Sequence, residues 1–199
     1  MNFEILVATN NAHKLQEIRQ ILSPHHITVY GMKDLNIDIG EVDENGKTYF
    51  DNALIKVKAL QNITKMPILA DDTGLEIKAM DNGPGLFTAR FASSLGGYEN
   101  AFKEIMNRLE GKDRYAEFVC DIVILNVEDK PLRFEARIPG TIATNVKGEG
   151  GFGYDPIFIN KELNKTYASM SQEEKNRVSH RGKALKKFLT YLKINNLID

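Results

Sequence analysis

A short apolar run at residues 67–70 leads directly into two adjacent carboxylates, Asp71 and Asp72, which precede Thr73 and Gly74. Such a run is typical of a buried strand, so we predict that a strand ends where the carboxylates begin. In open α/β sheets, ligands bind beyond the carboxyl ends of the strands. Adjacent carboxylates repel each other unless a positive charge lies nearby, and Mg²⁺ or Mn²⁺ suits oxygen ligands. A strand-end turn whose aspartates cap a helix or lie in water is the alternative, and this motif alone leaves both interpretations open.

Hydrophobic periodicity along the rest of the chain predicts the fold class. Strand and helix patterns alternate first, a pair of long strands resembling a hairpin follows, and helices close the chain. The predicted strands are 3–8, 26–30, 67–70, 75–80, 114–127, 132–141 and 157–159, and the predicted helices are 11–22, 48–63, 99–110, a short one from 171, and 180–192. We predict an α/β protein with a mixed sheet flanked by helices, and residues 1–199 as a single domain with two lobes around a central cleft.

The overall composition excludes several classes of protein. The formal net charge of −1 argues against nucleic-acid binding by bulk electrostatics. Cys120 is the only cysteine, so no intrachain disulfide forms, and a reducing compartment fits. No apolar stretch approaches the roughly 20 residues of a membrane span, and the N-terminus lacks the features of a signal peptide. We therefore expect a cytoplasmic protein that uses neither a membrane nor nucleic acid as a partner.

The first predicted strand delivers Thr9 and Asn10 to the start of a helix that carries Lys14. Backbone N–H groups at a helix N-terminus, together with the helix dipole, favour a bound phosphate. The segment contains no glycine and is not a Walker A loop. Thr9 or Asn10 as an ordinary helix N-cap is the competing interpretation.

An acidic cluster of Glu41, Asp43 and Glu44 precedes the second predicted helix, on which Asn52 and Lys56 are four residues apart. Such a cluster is usually a solvated loop. It gains a function only if the fold carries it to Asp71 and Asp72, where it would complete a carboxylate site for a metal. Residues at positions i and i+4 share a helix face, and a solvated surface pair is the default interpretation of Asn52 and Lys56.

A glycine-rich loop at residues 148–156 contains Phe152, Tyr154 and Asp155. Glycine permits close approach of a ligand to the backbone, and the two aromatic rings offer flat faces on which a base could stack. Asp155 is able to accept a hydrogen bond from a ring N–H. A structural turn packed by an aromatic side chain is equally compatible with this pattern, and the His180-Arg181 pair at the start of the last helix is most often surface chemistry.

Together these segments resemble the inosine triphosphate pyrophosphatase family, also called HAM1-like or non-standard purine nucleoside-triphosphate pyrophosphatases. The resemblance covers nearly the whole chain, in order. Its motifs are Thr9-Asn10-x-x-x-Lys14, Glu44, Asn52-x-x-x-Lys56, Ala70-Asp71-Asp72-Thr73-Gly74-Leu75, Pro84-Gly85-x-x-Thr88-Ala89-Arg90, Gly151-Phe152-Gly153-Tyr154-Asp155-Pro156 and Lys175-x-x-x-Ser179-His180-Arg181. Two departures are mild: Thr73 and Thr88 replace a frequent serine, and residues 10–13 replace a more glycine-rich first loop.

The resemblance implies a role for each matching residue. It implies a long mixed twisted sheet with a central nucleotide-binding cleft, Mg²⁺ as cofactor, a purine nucleoside triphosphate as substrate and a homodimer. The triphosphate would be held by Thr9, Asn10, Asn11, Ala12, His13 and Lys14, with Asn52 nearby and Thr73 also touching substrate. The metal ligands would be Glu44 and Asp72, supported by Asp71, and the catalytic residues would be Asp72, as general base, and Lys56. The base pocket would be lined by Phe152, Gly153, Tyr154, Asp155, Lys175, His180 and Arg181.

The implied reaction is attack of water on the α-phosphorus of ITP, dITP or XTP, giving the monophosphate and pyrophosphate. Donors from Lys175, His180 and Arg181 would favour the 6-oxygen of the base over the 6-amino group of adenine. Two alternatives remain. A Maf-type nucleotide pyrophosphatase usually opens with a Ser-x-Ser-Pro-Arg-Arg loop, which residues 9–14 do not match. A nucleotide-sensing module without turnover does not explain the full set of carboxylates.

Overall fold

The structure is a computed structural model that describes residues 3–199. Within that range the chain forms eight strands and six α-helices. The strands are Phe3–Val7 (β1), Ile27–Gly31 (β2), Ile68–Ile77 (β3), Gly83–Gly85 (β4), Tyr115–Leu125 (β5), Leu132–Ile142 (β6), Phe158–Asn160 (β7) and Lys165–Thr166 (β8). The helices are Ala12–Leu22 (α1), Tyr49–Lys58 (α2), Thr88–Ser94 (α3), Tyr98–Arg108 (α4), Gln172–Val178 (α5) and His180–Ile194 (α6).

All the strands belong to one mixed sheet, in the order β2-β1-β3-β5-β6-β7-β8, with β4 paired to β3. Strand β1 pairs in parallel with β2 and β3. Strand β4 is antiparallel to β3, and β7 is antiparallel to β6 and β8. The predicted mixed sheet flanked by helices is therefore confirmed. None of the helices within residues 3–199 is long and apolar enough to cross a membrane.

The chain divides into two compact units. The first unit comprises the residues up to Asp72 together with Cys120–Ala136 and Arg181–Asp199, and the second comprises Thr73–Val119 and Arg137–His180. Each unit buries apolar clusters of its own. The single domain and central cleft that the sequence suggests stay predictions.

Two apolar clusters of the first unit lie on opposite faces of strands β1 and β3, because successive side chains of a strand point to opposite faces. Leu69 on β3 belongs to a cluster that includes Ile18 of α1 and Phe188 of α6. Ile68 and Ala70 belong to the other cluster, which includes Ala53, Val57 and Leu60 in and just after α2. The same alternation separates the next two residues: the side chain of Asp71 follows the face of Leu69, and that of Asp72 follows the face of Ala70.

The prediction that a strand ends at Asp71 and Asp72 is wrong, because β3 continues through them to Ile77. The strands predicted at 67–70 and 75–80 are one element. Pairing explains the continuity: β1 is in register with the first part of β3, whereas Leu75, Glu76 and Ile77 pair with the antiparallel β4. The carboxylates themselves find partners inside the protein, so no turn into water is needed.

Other element boundaries differ from the sequence expectation in smaller ways. Helix α2 ends at Lys58 and not at residue 63, and α3 and the short β4 were not predicted. Helices α2 and α5 begin with capping boxes: Thr48 accepts from the backbone N–H of Asp51, and Ser171 accepts from that of Glu174. Both of these helices therefore start where a side chain satisfies backbone donors that the helix leaves open.

Candidate functional site: two aspartates on opposite faces of one strand

Asp71 lies in a network of buried charges on the α1 and α6 face. Arg181, at the start of α6, donates from Nε and Nη2 to Asp71 Oδ2 at 3.0 and 2.8 Å. Lys14 Nζ, on α1, lies 3.3 Å from the same oxygen. Arg181 also pairs with Glu17 of α1, and Arg181, Asp71 and Glu17 are all buried. Two acidic and two basic side chains therefore balance one another inside the first unit.

These neighbours keep Asp71 charged. Burial alone would raise the pKa of its carboxyl group, but the charges of Lys14, Arg181 and Lys56 outweigh that effect and hold the pKa well below its ordinary value. A carboxylate in fixed ion pairs is a poor proton acceptor at neutral pH. Asp71 is therefore suited to hold α1, β3 and α6 together rather than to exchange protons.

Asp72 meets a different set of partners on the α2 face. Asn52 Nδ2 donates to Asp72 Oδ2 at 3.0 Å. Lys56 Nζ, one helical turn further along α2, lies 3.7 Å from Asp72 Oδ1 and 3.1 Å from Glu44 Oε2. The same Nζ donates to the backbone oxygen of Asp71 at 2.7 Å. The fold therefore carries Glu44 to Asp72, and Asn52 and Lys56 contact these carboxylates instead of forming the solvated surface pair that their spacing favoured.

The environment of Asp72 shifts its pKa upward. Burial of the carboxyl group is the main cause, reinforced by the charge of Glu44 and only partly offset by Lys56, Lys14 and the hydrogen bond from Asn52. Two adjacent carboxyl groups thus have pKa values displaced in opposite directions. Such a separation commonly distinguishes a proton acceptor from a permanently charged partner. By this criterion Asp72 is the candidate base.

The segment that carries Glu44 is fastened to α2 by Asn52. Asn52 Oδ1 accepts from the N–H of Gly46 at 2.8 Å, while its amide nitrogen donates to Asp72. Gly46 packs so tightly there that an added Cβ would approach Asn52 Oδ1 to 2.7 Å. The family resemblance assigns Asn52 to the triphosphate. In the structure its amide oxygen binds the segment that carries Glu44 and its amide nitrogen binds Asp72, so Asn52 fixes the position of one relative to the other.

The acidic residues of this face fit a magnesium ion in number and chemistry. No group of three His, Cys, Asp or Glu side chains within residues 3–199 is arranged to hold a metal. Mg²⁺, however, typically takes only one or two protein carboxylates and completes its shell with water and substrate phosphates. Glu44 and Asp72 supply two carboxylates that already converge on one cation, Lys56 Nζ.

The metal-ligand role of Asp71 stays a prediction. Oδ2 of Asp71 is engaged by Arg181 and Lys14, and the strand places its side chain on the face opposite to Asp72. Oδ1 of Asp71 is buried and accepts no hydrogen bond from the part of the chain that the structure describes.

The predicted phosphate segment begins α1. Asn11, and not Thr9 or Asn10, is its N-cap: the Asn11 side chain accepts from the N–H groups of His13 and Lys14 at 3.0 and 3.2 Å. Thr9 Oγ1 in turn accepts from the N–H of Asn11 at 3.1 Å. Residues 10–13 are exposed. An exposed helix N-terminus followed by a lysine is able to receive an anion, and the binding role of these residues stays a prediction.

The glycine-rich loop lies in the second unit and is organised around Asp155. Asp155 Oδ2 accepts from Lys175 Nζ at 2.5 Å and from the N–H of Phe152 at 2.8 Å. Lys175 Nζ also lies 4.7 Å from the ring centroid of Phe152. Lys175, Asp155 and Phe152 therefore form one polar and aromatic cluster, a grouping that the family resemblance implied. The Asp155 side chain is buried, and its Oδ2 accepts both of these hydrogen bonds.

Tyr154 does not offer the stacking face that the sequence suggested. Its ring is buried edge-on against Tyr98 and Phe102, with centroids 5.2 and 6.0 Å away. Its hydroxyl donates to the backbone oxygen of Thr88 at 2.9 Å. Tyr154 anchors the loop, and Phe152, which is only partly buried, is the remaining aromatic candidate for a base.

His180 and Arg181 are neighbours in sequence with separate surroundings. The His180 ring stacks on Phe118 in the second unit, with centroids 4.5 Å apart and planes 6° from parallel. Arg181 lies with Asp71 and Glu17 in the first unit. The predicted base-pocket roles of His180 and Arg181, and the substrate contact of Thr73 on β3, stay predictions.

Comparison with known proteins identifies the family. The model of the Ham1 family matches residues 5–191. This chain belongs to the Ham1 family. It is similar to a dITP/XTP pyrophosphatase of Nitrosomonas europaea, with 40% identity over 198 residues, 98% of this chain and 97% of that protein. The protein of the same description from Treponema denticola is 38% identical over 194 residues, 96% of this chain and 98% of that one.

Solved structures agree with the Ham1 assignment. A HAM1 protein from Coxiella burnetii superposes with a TM-score of 0.84 and 34% identity, over 96% of this chain and 98% of that chain. Because the match extends over nearly the full length of both chains, the mixed sheet and its helices are those of a Ham1 protein. The predicted family resemblance is confirmed.

Sequence reasoning missed one charged residue of this Ham1 chain, Glu17. It lies at the edge of the apolar stripe of α1, next to Ile18 and one turn before Ile21, and it is buried with Arg181. An acidic residue on a buried helix face requires a cationic partner. That pattern was visible in the sequence, but the partner lies at the other end of the chain and only the fold identifies it.

Proposed function

We propose that this protein hydrolyses the non-standard purine nucleoside triphosphates ITP, dITP and XTP to the monophosphate and pyrophosphate. The observation that carries the proposal is the convergence of Glu44, Lys56 and Asn52 on Asp72, a buried carboxyl group of raised pKa. Membership of the Ham1 family supports it, since full-length relatives are described as dITP/XTP pyrophosphatases. The cellular role would be to remove deaminated purine nucleotides before polymerases use them.

Asp72 is the general base of the proposed reaction. It takes a proton from the water that attacks the α-phosphorus, so that a new P–O bond forms while the bond to the β-phosphate oxygen breaks and pyrophosphate leaves. A raised pKa suits this task, because a general base works best when its pKa lies closer to the working pH. Asn52 holds Asp72 in orientation through the 3.0 Å hydrogen bond.

Charge neutralisation is assigned to Lys14, Lys56 and a magnesium ion. Glu44 and Asp72 would hold the ion, which would screen the phosphate charge and stabilise the leaving pyrophosphate. The α1 N-terminus, from Thr9 to Lys14, would contribute backbone and side-chain donors to the phosphates. Lys14 and Lys56 already pair with carboxylates and would exchange those partners for phosphate oxygens.

Base selection is assigned to the cluster of Phe152, Asp155 and Lys175. Phe152 offers a ring on which a purine would stack, and Lys175 would donate a hydrogen bond to the 6-oxygen. Adenine carries a donor at that position, so ATP would set one donor against another, and mismatches of this kind reject a ligand strongly. The pair with Asp155 at 2.5 Å fixes the direction of the Lys175 ammonium.

The proposal extends to a homodimer in the cytoplasm, where the nucleotide pool is found and where a single buried thiol, Cys120, stays reduced. Sedimentation of the purified protein at micromolar concentration measures the oligomeric state directly. A mass of twice 22.4 kDa is expected.

Product analysis tests the function. The purified protein is incubated with dITP, XTP, ATP and GTP, each with and without Mg²⁺, and phosphate-containing products are separated. The expected result is monophosphate and pyrophosphate from dITP and XTP, with little turnover of ATP and GTP and none without metal. Orthophosphate release, equal turnover of all four nucleotides, or no turnover would reject the proposal.

A pair of variants in one segment tests the metal site. Glu44→Gln removes one proposed ligand, so half-maximal activity should require more Mg²⁺, by at least about tenfold since a carboxylate is the principal ligand type for this ion. Glu41→Gln, an exposed residue three positions earlier, is the control and should leave the Mg²⁺ requirement unchanged.

A further inference from the structure

Lys56 occupies the position towards which Glu44 and Asp72 converge. Its Nζ lies 3.1 Å from Glu44 Oε2 and 3.7 Å from Asp72 Oδ1, and it donates to the Asp71 backbone oxygen at 2.7 Å. The Lys56 side chain is only 12% exposed, so solvent screens these charges weakly. An ammonium group and a metal ion cannot both occupy the space between the same two carboxylates. Two positive charges this close repel strongly where solvent screens them weakly.

The two acidic residues are held in place by contacts other than Lys56. Asn52 donates to Asp72 Oδ2 at 3.0 Å, and its oxygen accepts from the N–H of Gly46 at 2.8 Å, two residues after Glu44. The segment around Glu44 is therefore tied to the same asparagine that orients Asp72. Removal of the Lys56 charge should leave both carboxylates directed at the same point.

We infer that Lys56 is the resident counter-ion of Glu44 and Asp72 in the nucleotide-free protein and competes with the divalent cation for them. This inference rests on the metal site of the proposed function and adds an order of binding to it. Triphosphate oxygens give the Lys56 ammonium a new anionic partner, which frees the carboxylates for the cation. Nucleotide and metal then raise each other's affinity, since coupling between two sites is reciprocal.

Metal binding to the nucleotide-free protein tests the inference without relying on turnover. Purified protein is titrated with MnCl₂ at pH 8, where carboxylates are ionised, and free Mn²⁺ is measured by electron paramagnetic resonance. Lys56→Met keeps the length of the side chain and removes its charge. We expect it to bind Mn²⁺ at least about tenfold more tightly than the wild type, equivalent to about 1.4 kcal/mol.

Three variants serve as controls. Lys58→Met removes an exposed lysine from the same helix and should bind Mn²⁺ as the wild type does. Lys56→Arg keeps the charge and should also match the wild type. Lys56→Met combined with Glu44→Gln should lose the gain, because one of the two competing carboxylates is gone. Equal or weaker binding by Lys56→Met, or no measurable binding by any of these proteins, would overturn the inference.

Circular dichroism shows whether Lys56→Met folds. If it does not, a labelling experiment on the wild type tests the inference instead. Lysines are acetylated briefly by an N-hydroxysuccinimide ester, and labelling is quantified by mass spectrometry with and without saturating MnCl₂. The metal should increase labelling of Lys56 several-fold and leave Lys58 unchanged. Absence of that increase overturns the inference. Metal-dependent dITP turnover by the wild type is measured separately, so its failure would reject the proposed function rather than this competition alone.

Discussion

The two faces of strand β3 treat adjacent aspartates in opposite ways. On one face, Arg181 and Lys14 converge on a single oxygen of Asp71, and the network is closed by the buried Glu17. On the other face, Asp72 and Glu44 share one lysine, and the Glu44 side chain is 35% exposed. In the first arrangement both carboxylates are buried in ion pairs, whereas the second has fewer cations and one partly exposed carboxylate, Glu44.

This difference separates a structural role from a chemical one. The positive charges of Lys14 and Arg181 lower the pKa of Asp71, while burial raises that of Asp72. The strand itself places the two carboxyl groups in different surroundings, because neighbouring side chains of a strand point to opposite faces. One residue of the pair holds the unit together, and the other is able to exchange a proton.

The largest expected effect is on turnover by Asp72→Asn. The amide cannot accept the proton of the attacking water, so dITP hydrolysis should fall by at least about 10²-fold, in the range ascribed to general bases. Pyrophosphate release measures this loss. Asp129→Asn, an exposed residue in the first unit, is the control and should retain wild-type turnover. Near-normal activity of Asp72→Asn would contradict the assignment of Asp72 as the general base.

The next effect concerns stability. Asp71→Asn leaves Arg181 and Lys14 without their main anionic partner, and breaking a buried ion pair from one side typically costs about 3–5 kcal/mol. The free energy of unfolding in urea should therefore fall by about 3 kcal/mol. Asp129→Asn should change it by less than about 0.5 kcal/mol, as exposed substitutions do. A stability loss of similar size in Asp72→Asn would contradict the assignment of the structural role to Asp71 alone.

The glycine-rich loop allows a parallel contrast in the second unit. Phe152→Ala removes the proposed stacking face, so kcat/KM for dITP should fall by about tenfold, given about 1–3 kcal/mol per stacked base. Tyr154→Phe removes only the hydroxyl that donates to Thr88 and should lower stability by about 1 kcal/mol without changing kcat/KM. The reverse pattern would assign base binding to Tyr154.

The smallest effects follow from pH, and their signs differ between the two aspartates. A lowered pKa in the folded state means that Asp71 stabilises the fold above the ordinary Asp pKa of 3.8 and loses this contribution as pH falls. A raised pKa means that ionised Asp72 opposes folding at neutral pH, and this penalty disappears as pH falls through the raised value. The stability deficit of Asp71→Asn and the stability gain of Asp72→Asn should both therefore shrink on acidification.

Urea unfolding of the metal-free wild type and both variants between pH 2.5 and 7.5 checks these signs, because the contribution of Asp71 is lost only below its ordinary pKa of 3.8. Chelator is present throughout, so that no bound cation alters the carboxyl groups. A gain of Asp72→Asn over the wild type that grows as pH falls would contradict the raised pKa of Asp72.

Much of the fold was predictable because apolar periodicity is strong in it. Helices α1 and α6 and the long strands β5 and β6 follow patterns that a sequence displays directly. The continuation of β3 was not predictable, because Asp71, Asp72 and Gly74 are ordinarily turn residues. The strand continues because residues 75–77 pair with β4 and because Asp71 and Asp72 find polar partners from distant parts of the chain.

The candidate site was predictable as a set of residues but not as an arrangement. The family resemblance placed Asn52, Lys56 and Asp72 in one site, whereas spacing alone favoured a solvated surface pair for Asn52 and Lys56. The structure brings all three together. Side chains of a strand alternate between its two faces, so a continuous strand places Asp71 and Asp72 on opposite faces. The sequence did not show that the strand continues, and the two roles were therefore not separated. The burial of Tyr154 depends on Tyr98 and Phe102 of α4, whose position no local pattern encodes.

Turnover per folded molecule of Asp71→Asn and Asp72→Asn, measured side by side with dITP and saturating Mg²⁺, tests the separation of roles most directly. Both proteins are assayed well below their unfolding temperatures, and the folded fraction is determined by circular dichroism. We predict that folded Asp71→Asn keeps turnover within about tenfold of the wild type while Asp72→Asn loses at least about 10²-fold. Equal loss in both folded variants would contradict the account.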